Sequence, residues 1–76
     1  MHESARTSAV ALKLEYEYMA DAGRDLRGYT RTLQEAQEAC AEACGGQLAW
    51  AASGRASWAA CDARTGIRYR VERLQS

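Results

Sequence analysis

The 76-residue chain has no proline and no phenylalanine, and its one histidine, His2, stands next to the start. Its cysteines number three, which cannot all pair, and no apolar run approaches the roughly 18 residues that cross a bilayer. Each shortage removes a class of function. A nucleophile needs a base within hydrogen-bond reach and a third group to orient that base. No serine or cysteine here has such a partner, so no catalytic residue is expected and the chain is read as no enzyme. A zinc site wants four ligands, commonly as two close pairs, and Cys40, Cys44 and Cys61 have only His2 to join them. Neither metal nor other cofactor is expected. Gly45-Gly46 follows a helix pattern where a phosphate-cradling loop would open one. The start, MHESARTSAVALKLE, breaks its apolar stretch with Lys13 and Glu15 and does not read as a signal peptide. These features together predict a cytoplasmic chain with reduced thiols and no membrane contact.

What is present is mostly small. Sixteen residues are alanine, so Trp50, Trp58 and the four tyrosines must supply much of the burial, at roughly 150–250 Å² each. A chain of this length makes one domain, 1–76, with 1–7 expected to be disordered. A core this thin is often supplemented by a staple or a second copy, so a homodimer is among the expectations. Net charge is zero, which argues against wholesale affinity for nucleic acid. The charge is nevertheless uneven: residues 1–44 carry five basic and eight acidic groups, residues 45–76 five and two.

The order of elements is legible in the periodicities. Val10, Leu12, Leu14, Tyr16 and Tyr18 alternate with polar or small residues, which predicts a half-buried strand over 8–19. A polar loop punctuated by Gly23 and Gly28 follows over 20–31. Thr32 with Glu35 forms a capping-box pattern, opening a helix over 32–44 that Gly45 closes. On the helical wheel Leu33, Ala36, Cys40 and Cys44 share one side, and Gln34, Glu35, Glu38 and Glu42 the other. Strands are predicted at 47–53, 56–62 and 67–74, with Ile67, Tyr69 and Val71 facing in and Arg68, Arg70 and Glu72 facing out. The 62–66 stretch reads as a type I turn closed by a left-handed Gly66. The hairpin turn near Gly54 leaves two registers. One pairs Trp50 with Ala59; the other pairs Trp50 with Trp58 on one face and is preferred, because it buries both rings. The fold class is α+β: strand, helix, then a three-stranded meander, with one helix on a four-stranded, mostly antiparallel sheet.

Cys40 and Cys44 are read first as small buried apolar residues of the helix. Helical i,i+4 neighbours hold their Cβ atoms about 5–6 Å apart, against roughly 3.8 Å in a disulfide. A Cys40–Cys61 bridge stays open if the strand carrying Cys61 runs beneath the helix. The stretch GRDLRGYTRTLQEAQEACAEACGGQLAW also resembles a PAN/apple module, through a helical C-x3-C, the Ala49-Trp50 step and the later Cys61. That resemblance implies an extracellular, disulfide-braced module binding protein or sugar. The chain departs from the pattern where a third core cysteine would stand, since Gln47 or Leu48 occupies that place.

The expected function is that of a small noncatalytic protein-binding domain. In layout it is similar to phage- or plasmid-encoded inhibitors of the anti-CRISPR kind, which occupy a surface of a larger protein or nucleoprotein complex. The candidate partner-binding residues are Arg55, Arg64, Arg68, Arg70 and Arg73, chosen because arginine presents a planar, multi-donor cation. The same arginines carry the alternative, a nucleic-acid binder that tracks phosphates along the C-terminal strand. The acidic residues Asp21, Asp25, Glu35, Glu38 and Glu42 offer a mirror possibility, docking on a basic groove.

Overall fold

The computed structural model describes residues 13–22 and 24–74. Alternating tyrosines give strand β1 (Tyr16–Ala22), which turns back on itself as β2 (Arg27–Thr30). Helix α1 (Leu33–Cys44) follows, then β3 (Ala51–Gly54), β4 (Ser57–Cys61) and β5 (Arg68–Arg73). The result is a small α+β fold, one helix on a five-stranded antiparallel sheet of order β2-β1-β5-β4-β3. The chain's last strand is thus its central one. Tyr69 and Val71, both 0% exposed, form the middle of the core beneath Ala36 and Cys40 of α1, also 0% exposed. Alanine and cysteine at that contact let the helix axis lie close to the sheet, and α1 packs over β1, β2 and β5.

Five strands replace the expected four, because 20–31 is no loop. β1 runs on past its expected end at residue 19, and 27–30 pairs with it as β2. Gly28 makes this possible. It stands opposite Tyr18 in the ladder, and a Cβ on it would run into the Tyr18 phenol, so that ring fills the place of the missing side chain. At its other end β1 is shorter than expected. Residues 13–15 form no strand and Leu14 is exposed, while 1–12, the start of the expected strand included, lie outside the described residues. A register shift between Ala20, opposite Tyr69, and Ala22, opposite Arg68, marks a bulge at Asp21 near the end of the β1–β5 ladder.

The helix is bounded as its sequence dictates. The Thr32 side chain accepts from Glu35 N at 3.1 Å, and Gly45 (φ 78°) donates to the Ala41 and Glu42 carbonyls. The reciprocal half of the capping box falls one residue early: the Glu35 carboxylate accepts from Arg31 N at 3.2 Å, not from Thr32 N. Leu33 and Cys44 pack partly buried against the core, beside Ala36 and Cys40.

The β3–β4 hairpin adopts neither expected register. Ala52 stands opposite Trp58 and Gly54 opposite Ser57, with Ser53 bulged between them and Arg55-Ala56 forming the turn. The one-residue bulge absorbs the difference, and Trp50 and Trp58 both pack against the core cluster. Residues 47–50, predicted as the start of this strand, form none. Trp58 also meets Tyr16, ring centroids 6.2 Å apart and tilted by 52°. In β5 the expected facing holds: Tyr69 and Val71 are buried, Ile67 packs partly buried beside them, and Arg68 is exposed. The 62–66 turn closes with Gly66 at φ 77°, its N–H donating to the Asp62 carbonyl at 2.7 Å.

Candidate interaction surface

Because α1 covers one face, the sheet's other face carries the residues of opposite parity. Two rows of cross-strand neighbours define it. The first runs Tyr29, Glu17, Glu72, Ser57; the second runs Arg27, Met19, Arg70, Ala59, Ala51. Arg68, opposite Cys61, begins a third. One acidic row thus lies beside one basic row, with Arg68 beyond the basic one. Glu17 and Glu72 stand directly opposite each other, a repulsive placement unless each is neutralised. Arg27 Nε lies 3.1 Å from Glu17, which also accepts from the Tyr29 hydroxyl at 3.2 Å. Arg70 spans Glu72 at 3.4 Å and Asp21 at 3.6 Å. Its Nη2 also rests 3.7 Å from the Met19 sulfur, which is only 7% exposed, and its Nε is buried with no hydrogen-bond partner. Ion pairs this open to water contribute about 0–1 kcal/mol each. They order the face more than they stabilise the fold.

The five arginines singled out from the sequence do not gather. Arg68 and Arg70 share the helix-free face. Arg55 sits at the β3–β4 turn, near the end of β5 where Arg73 pairs with Glu15 at 3.8 Å. Arg64 occupies the opposite end of the sheet, in the β4–β5 turn, and is engaged internally. Its Nη2 donates to the Cys44 carbonyl at 2.7 Å, and its Nε and backbone N–H both donate to Asp62 Oδ1, at 3.3 Å and 3.0 Å. Those hydrogen bonds, then the guanidinium's charge, hold the Asp62 carboxyl below its ordinary value and raise Arg64 in turn. Arg24 reaches the same helix end from the β1–β2 connection, donating to the Ala43 carbonyl at 2.7 Å. The last turn of α1 has no basic residue of its own, so two arginines from loops satisfy its terminal carbonyls and oppose its dipole.

Arg27, Tyr29 and Met19 complete the helix-free face and were missed in the sequence. Their signal, Leu26, Gly28 and Thr30 alternating with Arg27 and Tyr29, is four residues of strand masked by a glycine. Beside them a recess of about 380 Å³ opens at the end of the β1–β2 hairpin, lined by Met19, Asp21, Arg24, Asp25, Arg27 and Arg70 among others.

The cysteines lie apart. Cys40 is buried under α1, and burial, with a smaller effect of Cys44, pushes its thiol up to about 11. Cys44 is half-buried, its thiol 3.3 Å from the Gly46 carbonyl. Cys61 is exposed on the face of β4 turned away from the helix. The whole sheet separates Cys40 from Cys61, so the bridge left open by the sequence does not form, and all three cysteines are free. No cluster of three or more histidine, cysteine or carboxylate side chains that could hold a metal occurs among the described residues. No helix among them is long and apolar enough to cross a membrane. Comparison with known proteins returns no matching family model, no matching curated protein and no matching solved structure.

Proposed function

We propose that the chain is a noncatalytic protein-binding domain that docks through the helix-free face of its sheet, around Arg27, Arg68 and Arg70. The occupied surface belongs to a larger protein or nucleoprotein, in the manner of a small phage- or plasmid-type inhibitor. One observation carries this reading: the face is an array of both charge signs with the exposed Tyr29 set among them. Such a mixture suits a protein surface of matching pattern. A phosphate backbone, by contrast, would have to draw Arg27, Arg70 and Arg73 away from Glu17, Glu72, Asp21 and Glu15. Among the described residues only Arg55 and Arg68 of the candidate set make no ion pair, and they lie on different parts of the sheet. The nucleic-acid reading is therefore the weaker one.

The test is a photoreactive residue in place of Ala59, in the middle of this face, exposed to nuclease-treated lysate of the native host. A discrete protein adduct is expected, with none from the same group in place of Glu42 on the solvent side of α1. The double variant Arg68→Ala plus Arg70→Ala should weaken capture at least tenfold. Undiminished capture by that variant would remove this surface from consideration. Adducts that vanish with nuclease would return the nucleic-acid reading.

A further inference from the structure

The two edges of the sheet differ in kind. β2 presents Arg27 and Tyr29, and a charged residue is a common device against unwanted strand pairing. At the other edge every residue of β3 is exposed, and none is charged, bulky or proline. No charge occurs anywhere between Glu42 and Arg55. The residues just before β3, 47–50, have a strand-like sequence yet make no ladder to β4, so the uncharged stretch is longer than the four residues of β3. Leu48 and Trp50 of that stretch pack only partly against the core.

We infer that β3 is a self-pairing edge: two copies of the chain join antiparallel along 47–52, and the ladder regularises 47–50 in each. A second copy is the occupant that this edge fits. Antiparallel self-pairing sets the segment against its own reverse, so a segment with charge of one sign would meet like charge on the other copy. This strand has no charge to repel, and its alanines allow close approach from either face. The pairing is two-fold and closed, since each copy spends its one uncharged edge. It would yield a ten-stranded sheet with both helices on one side. The Ser53 bulge bends the strand near its turn and confines regular pairing to the preceding residues. So short a ladder falls below the roughly 1,200 Å² of stable complexes, and the dimer is accordingly weak and concentration-dependent.

Sedimentation of the full chain at about 1 mM, which half-populates even a millimolar association, should give an average mass about one and a half times or more the 8.4 kDa of one copy. Dilution should return the single-chain mass. Amide exchange on the unaltered protein should slow at 47–52 as concentration rises, with β1 and β2 unchanged. Ala52→Lys and Ala51→Lys, which point to opposite faces, should each abolish the dimer and leave the circular-dichroism spectrum intact. A single-chain mass at about 1 mM, concentration-dependent protection at β2 in place of 47–52, or a dimer that survives both lysines would overturn the inference.

Discussion

A Cβ at position 28 has nowhere to go while the Tyr18 ring lies across the backbone there. Gly28→Ala must swing that ring off the core, and an overpacking cost of about 1 kcal/mol or more is expected, roughly 4–8 °C in Tm for a domain this size. In a Tyr18→Ala background the same substitution should cost under about 0.5 kcal/mol, since the clash has been removed. Thermal unfolding of the four proteins in the cycle measures this coupling; equal costs in both backgrounds would refute it. At Cys40 the raised thiol gives a second residue-scale test. Native alkylation near pH 8 should modify Cys61 promptly and Cys40 only on unfolding, as read by mass spectrometry. The folded value lies above the unfolded one, so the stability this burial contributes is intact below about pH 9. It is lost as pH rises through about 11.

Helix α1 was legible because its signals are local: Thr32 three residues before Glu35, an apolar stripe, and glycines in sequence at its end. Thr32→Ala should cost about 1 kcal/mol by removing the cap on Glu35 N. β5 was legible by its alternation. β2 was not, since four residues hold too little periodicity to outweigh a glycine, and the ring that compensates for Gly28 comes from another strand. The hairpin register escaped for a similar reason, because a single bulged serine changes the pairing without changing the composition of the turn. Of the candidate site, the outward facing of Arg68 and Arg70 was readable from parity alone. The use of Arg64 was not, since its partner carbonyl lies 20 positions away at the end of α1. Arg64→Ala should lower Tm most near neutral pH. The folded Asp62 carboxyl is held below its unfolded value, so that contribution is present above the unfolded value, near 4. It disappears as pH falls through the folded one. The Tm gap between variant and parent should narrow in acid, and a gap constant from neutral pH down to strong acid would dissociate Arg64 from Asp62.

At the scale of the molecule, the sheet's two faces and two edges differ. One face is closed by α1 and the other is an array of mixed charge; one edge is charged and the other is not. If the array is the docking face, binding should change only a few-fold between low and moderate salt, because as many carboxylates as guanidiniums meet the partner. A fall of several orders of magnitude would instead indicate released counterions and a polyanion.

The two arginines on the helix's last carbonyls also set an order of events during synthesis. Thr32 and Gly45 emerge with α1 itself, and Arg24 before it, but Arg64 is made only after β3 and β4, and the central strand β5 later still. A nascent α1 therefore has its start fixed and its end half-finished until the β4–β5 turn exists. An isolated peptide spanning 31–46 should be largely coil by circular dichroism, despite carrying both of its own boundary signals. Completion of this helix belongs to the last third of the chain.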